Sequence, residues 1–375
     1  MTSIANAKTV VVIQLSGGND ALNTVIPYNN EHYYDLRPQV NIPQDKVLKI
    51  NDQLGFNPSM APLKRLWDEG NVAVINGIGY PSPNRSHFRS MDVWHTAEPD
   101  TISNEGWLGR AIQQIDPDGE NVITGVNFGR GLPRALYAKD VPVASVGNLE
   151  NYGLMTDMQN EEARNLALAA FSQMYGGSGK DTIAQFISQT GLDALKGADI
   201  LRAAPRQYSS TVEYADTPIA QNLKSISQVM SADLGTRVFY TQHGSFDTHS
   251  GELSAHSKLW QDVSEAVGDF TDDLKEHGQL DDTLILMFSE FGRRIKDNGA
   301  GTDHGSGGSA FVIGGAVNGG TYGEFPSLRS EDQIEGDMRF NNDFRITYST
   351  IADRWLDLDP VHIANGTFEQ FDFVD

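Results

Sequence analysis

Cysteine is absent from the 375-residue sequence. Without it the chain forms no disulfide, thiolate zinc site, iron–sulfur cluster or cysteine nucleophile, so any metal ion must be held by histidine, carboxylate, hydroxyl or water. Positive charge is also scarce, because 28 Lys and Arg residues stand against 50 Asp and Glu residues and the formal net charge is -22. This excess of negative charge disfavours contact with a phosphate backbone, and we therefore expect no nucleic-acid partner.

Long hydrophobic runs are missing as well. The longest early apolar run, Val10–Ile13 with Leu15 after it, is far shorter than the ~18–20 residues that span a bilayer. No basic segment of the signal-peptide type precedes it. We expect neither a membrane span nor a signal peptide in this sequence. With 39% hydrophobic and 21% charged residues, the composition indicates a packed globular protein.

Five short β-type runs each end in a cluster of small or polar residues. Near-continuous apolar runs bounded by turn residues are typical of strands that are buried on both faces, which predicts a mainly parallel sheet and an α/β fold. Ligands of such sheets bind at the carboxyl ends of the strands, where these polar clusters lie. The runs are Thr9–Leu15, Val72–Ile75, Arg237–Thr241, Thr283–Phe288 and Ala310–Ile313.

Helical patterns lie between these runs. Apolar residues recur at spacings of three, four and seven over Ser250–His277, and Gly278 provides a helix stop. Residues from about 105 to 235 behave differently, because helical stretches at Asn160–Tyr175 and Asp181–Leu195 alternate with turns and few sheet signals. We predict a single domain over residues 1–375 with a mostly helical insertion at about 105–235.

The densest polar segment surrounds residues 243–249, and Asp303 and His304 follow some fifty residues later. Neutral imidazole and carboxylate are the usual ligands of Zn²⁺, Mn²⁺ and iron, and Asp247 and His249 can face one ion from an irregular loop. Each histidine taken alone is equally well a capped or core imidazole. Their grouping at predicted strand ends favours a metal site.

Two further segments carry candidate residues. Glu290 follows the Thr283–Phe288 strand directly and can serve as a metal ligand, while Arg293 can hold an anion in a bidentate fork; a structural acid–base pair is the alternative. Ser86 lies before a predicted helix, where the positive helix end favours anions and an ionised hydroxyl. The alternative is that Ser86 merely caps this helix.

The segment from Ser16 to Asp20, Ser-Gly-Gly-Asn-Asp, supports a rival hypothesis. It resembles the phosphate-binding loop of the ATP pyrophosphatases, which also follows a first strand. In that family a Ser or Thr follows the Asp and a helix starts there, whereas this chain has Ala21 and an early Pro27. An ATP-using loop enzyme built on Ser16–Asp20 is therefore kept as a less favoured alternative.

Several short motifs follow one another in a recognisable order, namely Gly-Gly-Asn-Asp at 17–20, Asp-Ala-Leu-Asn-Thr at 20–24, Arg-Ser-His-Phe at 85–88, Gly-Trp-Leu-Gly-Arg at 106–110, Phe-Asp-Thr-His at 246–249, Ser-Glu-Phe-Gly-Arg at 289–293 and Thr-Asp-His-Gly at 302–305. This order resembles the DUF1501 family of bacterial proteins, which is grouped with the alkaline phosphatase and sulfatase superfamily. The resemblance covers most of the chain.

The resemblance implies an alkaline-phosphatase-like sandwich, with a central, mainly parallel sheet flanked by helices. It implies one or two divalent ions, Zn²⁺ or Mn²⁺, and it matches Asp247, His249 and His304 to the ligands of one of them. The usual Asp-His pair of the second site is replaced here by Glu290-Phe291. Asp20 and Glu290 are then the residues left for an altered second site.

The resemblance further implies a metal-dependent hydrolase of phosphate or sulfate esters. Ser86 or a metal-bound water would attack the ester, while Arg293 and Arg85 would hold its anionic group. The expected substrate is a small anionic ester or a sulfated or phosphorylated glycan, and the expected location is the periplasm or the extracellular space. The main alternative is a degenerate member that binds an anion or a glycan without turnover, and the oligomeric state stays open.

Overall fold

The fold is known from a computed structural model that describes residues 7–149, 152, 161–176, 191–194, 196–198 and 200–375. Within these ranges, nine strands form one large sheet and three short strands form a second. The strands are β1 (Thr9–Leu15), β2 (Val25–Ile26), β3 (Leu48–Lys49), β4 (Gly55–Phe56), β5 (Val72–Gly79), β6 (Gly125–Phe128), β7 (Val143–Val146), β8 (Val238–His243), β9 (Thr283–Phe288), β10 (Gly308–Ile313), β11 (Gly320–Tyr322) and β12 (Asn342–Asp343).

The large sheet has the strand order β11-β5-β10-β9-β1-β8-β6-β7, and β12 pairs with β5. Strand β1 lies at its centre, parallel to β8 on one side and to β9 on the other. Strand β10 runs antiparallel to both of its neighbours, β9 and β5. The predicted α/β fold with a mainly parallel sheet is confirmed, and all five predicted runs contain strands.

Helices cover both faces of this sheet. They are α1 (Glu31–Leu36), α2 (Ala61–Asp68), α3 (His87–Thr96), α4 (Trp107–Ile115), α5 (Glu161–Gly176), α6 (Ala204–Gln207), α7 (Pro218–Ser231), α8 (Glu252–Glu276), α9 (Phe344–Thr350) and α10 (Pro360–Ala364), and a π-helical turn at Ile351–Trp355 continues α9. In the described part of the chain, no helix combines the length and the apolar character that crossing a membrane requires.

Each face of the central strands contributes to a different hydrophobic core. In β1, Val11 and Ile13 pack in the core on one face, together with Trp260 of α8. Val10 and Val12 point to the opposite core, which Trp94 of α3 also fills. Because side chains alternate along a strand, an unbroken apolar run such as β1 requires cover on both faces, as the sequence pattern predicts.

Among the described residues, α8 is the longest helix, and it forms because its apolar residues recur along one face. Phe270 and Leu274 are fully buried four residues apart, whereas Leu253, near the start of the helix, is exposed. The helix begins after Gly251, at φ +60°, and ends before Gly278, at φ +67°. Both residues adopt the left-handed backbone conformation that glycine takes without steric cost.

The described part of the region at about 105–235 contains α4 to α7, and it also adds β6 and β7 to the large sheet beside β8. Each of these strands has four residues, too short for the periodicity of the sequence to reveal. Of the predicted helix Asp181–Leu195, residues 191–194 are described and helical, and the rest lies outside the described residues. Asn160 lies outside them too. The single-domain organisation stays a prediction.

Truncating the buried face of α8 should cost far more stability than truncating its exposed face. We expect Phe270→Ala to lower the free energy of unfolding by about 3–5 kcal/mol, because it leaves a cavity in the core. Leu253→Ala, on the same helix, should change it by less than about 0.5 kcal/mol. Urea unfolding followed by circular dichroism measures both, and similar losses in the two variants would contradict the core assignment.

Candidate metal centre

The polar loops that follow the central strands meet at one edge of the sheet. Strands β1, β8 and β9 are parallel neighbours, so the loops after Leu15, His243 and Phe288 leave the sheet at the same end. Strand β10 runs in the opposite direction, so the segment before Gly308 reaches the same edge. Segments distant in sequence are thereby placed side by side.

Three of the predicted ligands converge with one atom each. Asp247 Oδ1 lies 3.0 Å from His249 Nε2 and 3.0 Å from His304 Nε2. The two imidazole nitrogens are themselves 3.0 Å apart. We call these three atoms the donor triangle. Their side chains are partly exposed, so the triangle opens to solvent.

Hydrogen bonds on the far side of each ring set the tautomers. His304 Nδ1 lies 2.8 Å from the carbonyl oxygen of Arg85, which accepts hydrogen bonds and donates none, so Nδ1 carries the proton. His249 Nδ1 is held in the same way, 3.1 Å from the carboxylate of Asp303. In the neutral rings both Nε2 atoms then present lone pairs, the usual arrangement of metal-binding histidines.

The donor triangle therefore fits a divalent cation. Three lone pairs that face one another at 3.0 Å repel unless a positive charge lies between them. Atoms this close to one another are within reach of a single ion at the usual distance of about 2.1 Å for nitrogen and oxygen ligands. The donor set of two imidazoles and a carboxylate suits Zn²⁺, Mn²⁺ or iron.

Asp247 stays ionised near this triangle. Burial on its own would raise the pKa of Asp247, but the interactions of the carboxylate with its neighbours, of which the hydrogen bond from Arg293 is the largest, outweigh it and lower the pKa to about 2. Arg293 contributes at a distance of 2.7 Å from Asp247 Oδ1. The carboxylate is thus available as an anionic ligand at any physiological pH.

Arg293 is predicted to hold the substrate anion, but the structure places its side chain in the interior. Its side chain is fully buried and donates to the backbone carbonyls of Gly17, Gly18, Phe246 and Thr302, as well as to Asp247. A guanidinium with its donors engaged in this way has little capacity left for a substrate anion. Arg293 joins the loops of the site to one another.

His87 lies beside the donor triangle, and we call the triangle together with His87 the cluster. His87 is not among the site residues that the sequence predicts. Its Nδ1 lies 2.8 Å from Glu290 Oε1, and its Nε2 lies 3.5 Å from Asp247 Oδ2. The hydrogen bond to Glu290 is the largest cause of a raised pKa for His87. The signal was available, because His87 directly follows Ser86 in a segment already singled out.

Glu290 is brought to the cluster, where protein groups occupy its oxygens. It is buried and accepts hydrogen bonds from the backbone N–H of Gly17, at 2.9 Å, and from the Ser289 hydroxyl, at 3.1 Å, in addition to its contact with His87. Phe291, the next residue, places its ring centroid 4.9 Å from the rings of both His87 and His304. It forms an apolar side of the histidine cluster.

Ser86 and Arg85 lie beside the cluster in the chain. Ser86 is exposed and occupies the N-cap position of α3, although its hydroxyl makes no capping hydrogen bond. The guanidinium of Arg85 pairs with Asp337 at 2.8 Å and approaches Glu335 at 3.5 Å, so it is engaged away from the triangle. Arg85 contributes to the site through its backbone carbonyl instead.

Asp20 requires a correction, because the structure does not bring it to the cluster. It is fully buried and forms a bidentate ion pair with Arg37, at 2.5 and 2.9 Å. Burial opposes ionisation, but Arg37 outweighs it and lowers the pKa of Asp20. Arg37 also donates to the carbonyls of Arg294 and Ile295, so this pair supports the segment after Arg293.

The Gly17-Gly18 turn is built for close packing, which argues against the ATP-loop alternative. Gly17 has φ +122°, and a Cβ there would lie 2.5 Å from the Asp247 backbone nitrogen; a Cβ on Gly18, at φ +73°, would lie 2.2 Å from the Phe291 ring. The backbone N–H of Gly17 donates to Glu290, and that of Asn19 donates to Ser289. These two amides are therefore not free to bind phosphate.

A cleft of about 920 Å³ opens beside the cluster. It is bordered by His87, Asp247 and Glu290 and by apolar residues of α3 and of the loop after α3. Its lining consists of Ser16, Gly17, His87, Phe88, Arg89, Met91, Asp92, His95, Ile102, Arg134, Ser245, Asp247 and Glu290. The cluster is thus accessible to a small molecule.

A family model described as "Protein of unknown function (DUF1501)" matches residues 7–341. No curated protein matches the sequence. Among solved structures, the chain resembles a sulfatase from Pseudoalteromonas sp. at 11% identity and a TM-score of 0.42, over 98% of this chain and 71% of that one. It also resembles a lipoteichoic acid synthase from Listeria monocytogenes at 10% identity and a TM-score of 0.36, over 90% and 76%. A protein of the alkaline phosphatase superfamily from Vibrio parahaemolyticus matches at 11% identity and a TM-score of 0.36, over 85% and 63%.

The buried position of Asp20 predicts a loss of stability on substitution, with metal binding unaffected. We expect Asp20→Ala to lower the free energy of unfolding by about 3–5 kcal/mol, because it leaves the buried charge of Arg37 without its ion-pair partner. Disrupting the exposed Arg354–Asp372 pair with Arg354→Ala should cost less than about 1 kcal/mol. Urea unfolding measures both variants. An Asp20→Ala protein that keeps its stability but loses bound metal would restore Asp20 as a ligand.

Proposed function

The chain belongs to the DUF1501 family, as the order of its motifs predicts, and we propose that it is a metal-dependent hydrolase of phosphate or sulfate esters. The observation that carries this proposal is the donor triangle, in which three lone pairs meet at 3.0 Å beside an open cleft. The motif resemblance to the alkaline phosphatase and sulfatase superfamily supports the choice of ester. It also supports the prediction of an exported protein.

Asp247, His249 and His304 would hold one divalent ion, Zn²⁺ or Mn²⁺. Bound there, the ion supplies Lewis-acid chemistry, which stabilises negative charge on an ester oxygen and makes a hydroxyl or water easier to ionise. Asp303 and the Arg85 carbonyl keep the two imidazoles in the tautomers that binding requires. Arg293 keeps Asp247 ionised and in place.

His87 and Glu290 form the proton-transfer pair. Because His87 Nδ1 donates to Glu290, His87 Nε2 keeps its lone pair, and this nitrogen is buried without a hydrogen-bond partner among the described residues. His87 Nε2 lies 3.5 Å from Asp247 Oδ2. His87 Nε2 accepts a proton from the attacking hydroxyl or water and can return it to the leaving oxygen. Glu290 orients the ring and stabilises the imidazolium.

The attacking group is the Ser86 hydroxyl or a water molecule. The motif resemblance favours Ser86, and its position next to His87 in the chain agrees with that choice. Ser86→Ala separates the two routes, since a variant that retains turnover assigns the attack to water.

A second candidate function is binding of an anion or a sulfated glycan without turnover. The observation that favours it is Phe291, whose ring packs against His87 and His304 where the resemblance leads us to expect a ligand of a second ion. A protein that binds metal and phosphate but hydrolyses neither p-nitrophenyl phosphate nor p-nitrophenyl sulfate would favour this reading.

Metal content tests the proposal directly. Protein purified without chelator should hold about one Zn²⁺ or Mn²⁺ per chain. A free ion concentration about 100 times the dissociation constant should raise the free energy of unfolding of the metal-free protein by about 2.7 kcal/mol. Both effects should disappear in Asp247→Ala and His304→Ala, since each variant removes a corner of the triangle. His362→Ala, which removes an exposed histidine elsewhere, is the matched control. Absence of metal and of stabilisation in the unmodified protein would refute the metal site.

The pH dependence of turnover tests the role of His87. The base form of His87 is populated above its pKa, so kcat should rise with pH through that value. Because the hydrogen bond to Glu290 raises the pKa of His87, Glu290→Gln should move the rising limb to lower pH. Glu369→Gln, at an exposed position, should leave the profile unchanged. An unmoved limb in Glu290→Gln would assign it to another group.

A further inference from the structure

The cleft beside the donor triangle has an apolar wall. Phe88 is 91% exposed and Ile102 is 78% exposed, and both line the cleft together with Met91. Single exposed apolar residues are common on protein surfaces. These three line the same cleft as His87, Asp247 and Glu290.

Hydrogen bonds join the two segments that form the apolar wall. Phe88 and Met91 lie three positions apart on α3 and so project from one side of it. The loop that carries Ile102 is tied to the same helix through Arg89, which donates to the backbone carbonyls of Pro99, at 2.7 Å, and Thr101, at 3.0 Å. These hydrogen bonds hold the backbone of the loop against α3.

The charged groups near this wall are already paired. Asp92 accepts from Arg89 at 2.8 Å and also from Arg134. His95 is buried, and burial lowers its pKa to about 4, so the ring is neutral. A hydroxyl-rich sugar would find few free hydrogen-bonding partners here, whereas an aromatic or alkyl group would bury apolar surface against Phe88 and Ile102.

We propose that the alcohol portion of the substrate ester is an aryl or alkyl group, bound by Phe88, Met91 and Ile102, while the phosphate or sulfate lies at the donor triangle. This inference rests on the proposed function and specifies its substrate class. A lipid bilayer is a less suitable occupant, because the net charge of -22 opposes approach to anionic membrane surfaces.

Binding of two small phosphonates to the Zn²⁺-supplemented protein tests the inference independently of turnover. Isothermal calorimetry should show phenylphosphonate binding at least about tenfold more tightly than methylphosphonate, a ratio typical of filling an apolar pocket. The double substitution Phe88→Ala with Ile102→Ala should bring this ratio close to one and leave methylphosphonate binding unchanged. Leu166→Ala, at an exposed position on α5, is the control and should keep the ratio.

The outcomes separate the two proposals. Equal affinities in the unmodified protein, or a ratio that survives in the double variant, would overturn the apolar substrate class even if esters are hydrolysed. Selective phenylphosphonate binding without hydrolysis of p-nitrophenyl phosphate or sulfate would uphold the ligand class and refute the hydrolase. Association with phosphatidylcholine vesicles that depends on Phe88 and Ile102, without discrimination between the phosphonates, would assign the wall to a lipid surface and overturn the inference.

Discussion

The buried guanidinium of Arg293 is the interaction on which the candidate site depends. One planar group with several donors bonds the turn after β1, the Phe246 carbonyl after β8 and the Thr302 carbonyl before β10. Backbone hydrogen bonds also join these segments, from the Phe246 N–H to the Ser16 carbonyl at 3.1 Å and from the Thr302 N–H to the Thr248 carbonyl at 3.3 Å, and the Arg293 side chain adds to them. It also donates to the Asp247 carboxylate, so the position and the ionisation of this side chain have a common origin.

A second ion pair, Asp20 with Arg37, is buried next to the backbone that follows Arg293 and supports it. Asp20 and Arg37 are paired out of contact with solvent, and Arg37 also bonds the backbone directly after Arg293. The Thr302 hydroxyl donates to Glu252 at 2.6 Å while its carbonyl accepts from Arg293, so one residue connects Glu252 with Arg293. Burial, followed by the nearby Asp20 charge, raises the pKa of Glu252. A buried polar network stays ordered only when its members are satisfied, which gives the cluster a stiff base.

The sequence predicts most of the sheet, and it selects Asp247, His249 and His304, which the fold brings together. Buried strands such as Thr9–Leu15 are visible because short apolar runs bounded by turn residues are typical of strands buried on both faces, and Asp247, His249 and His304 stand out because imidazole and carboxylate are grouped at predicted strand ends. The sequence is less informative where the role of a side chain depends on its contacts in the fold. From the sequence, Arg293 is predicted to hold an anion, because the backbone carbonyls around it are not visible there. Asp20 is predicted to be a metal ligand, because its ion pair with Arg37, 17 residues away, is not visible either. The strands β6 and β7 escape notice because four residues carry too little periodicity.

The antiparallel direction of β10 has a consequence for how the site is assembled. Asp247 and His249 lie close together in the chain, but His304 arrives more than fifty residues later and reaches them because β10 starts where its neighbours end. The third corner of the triangle thus exists only after β9 and β10 have paired. An ion held by all three corners would act as a clip across that pairing, and its release and the opening of the sheet edge would be linked events. Metal affinity in this protein would then report the integrity of the sheet as directly as it reports the chemistry of the ligands.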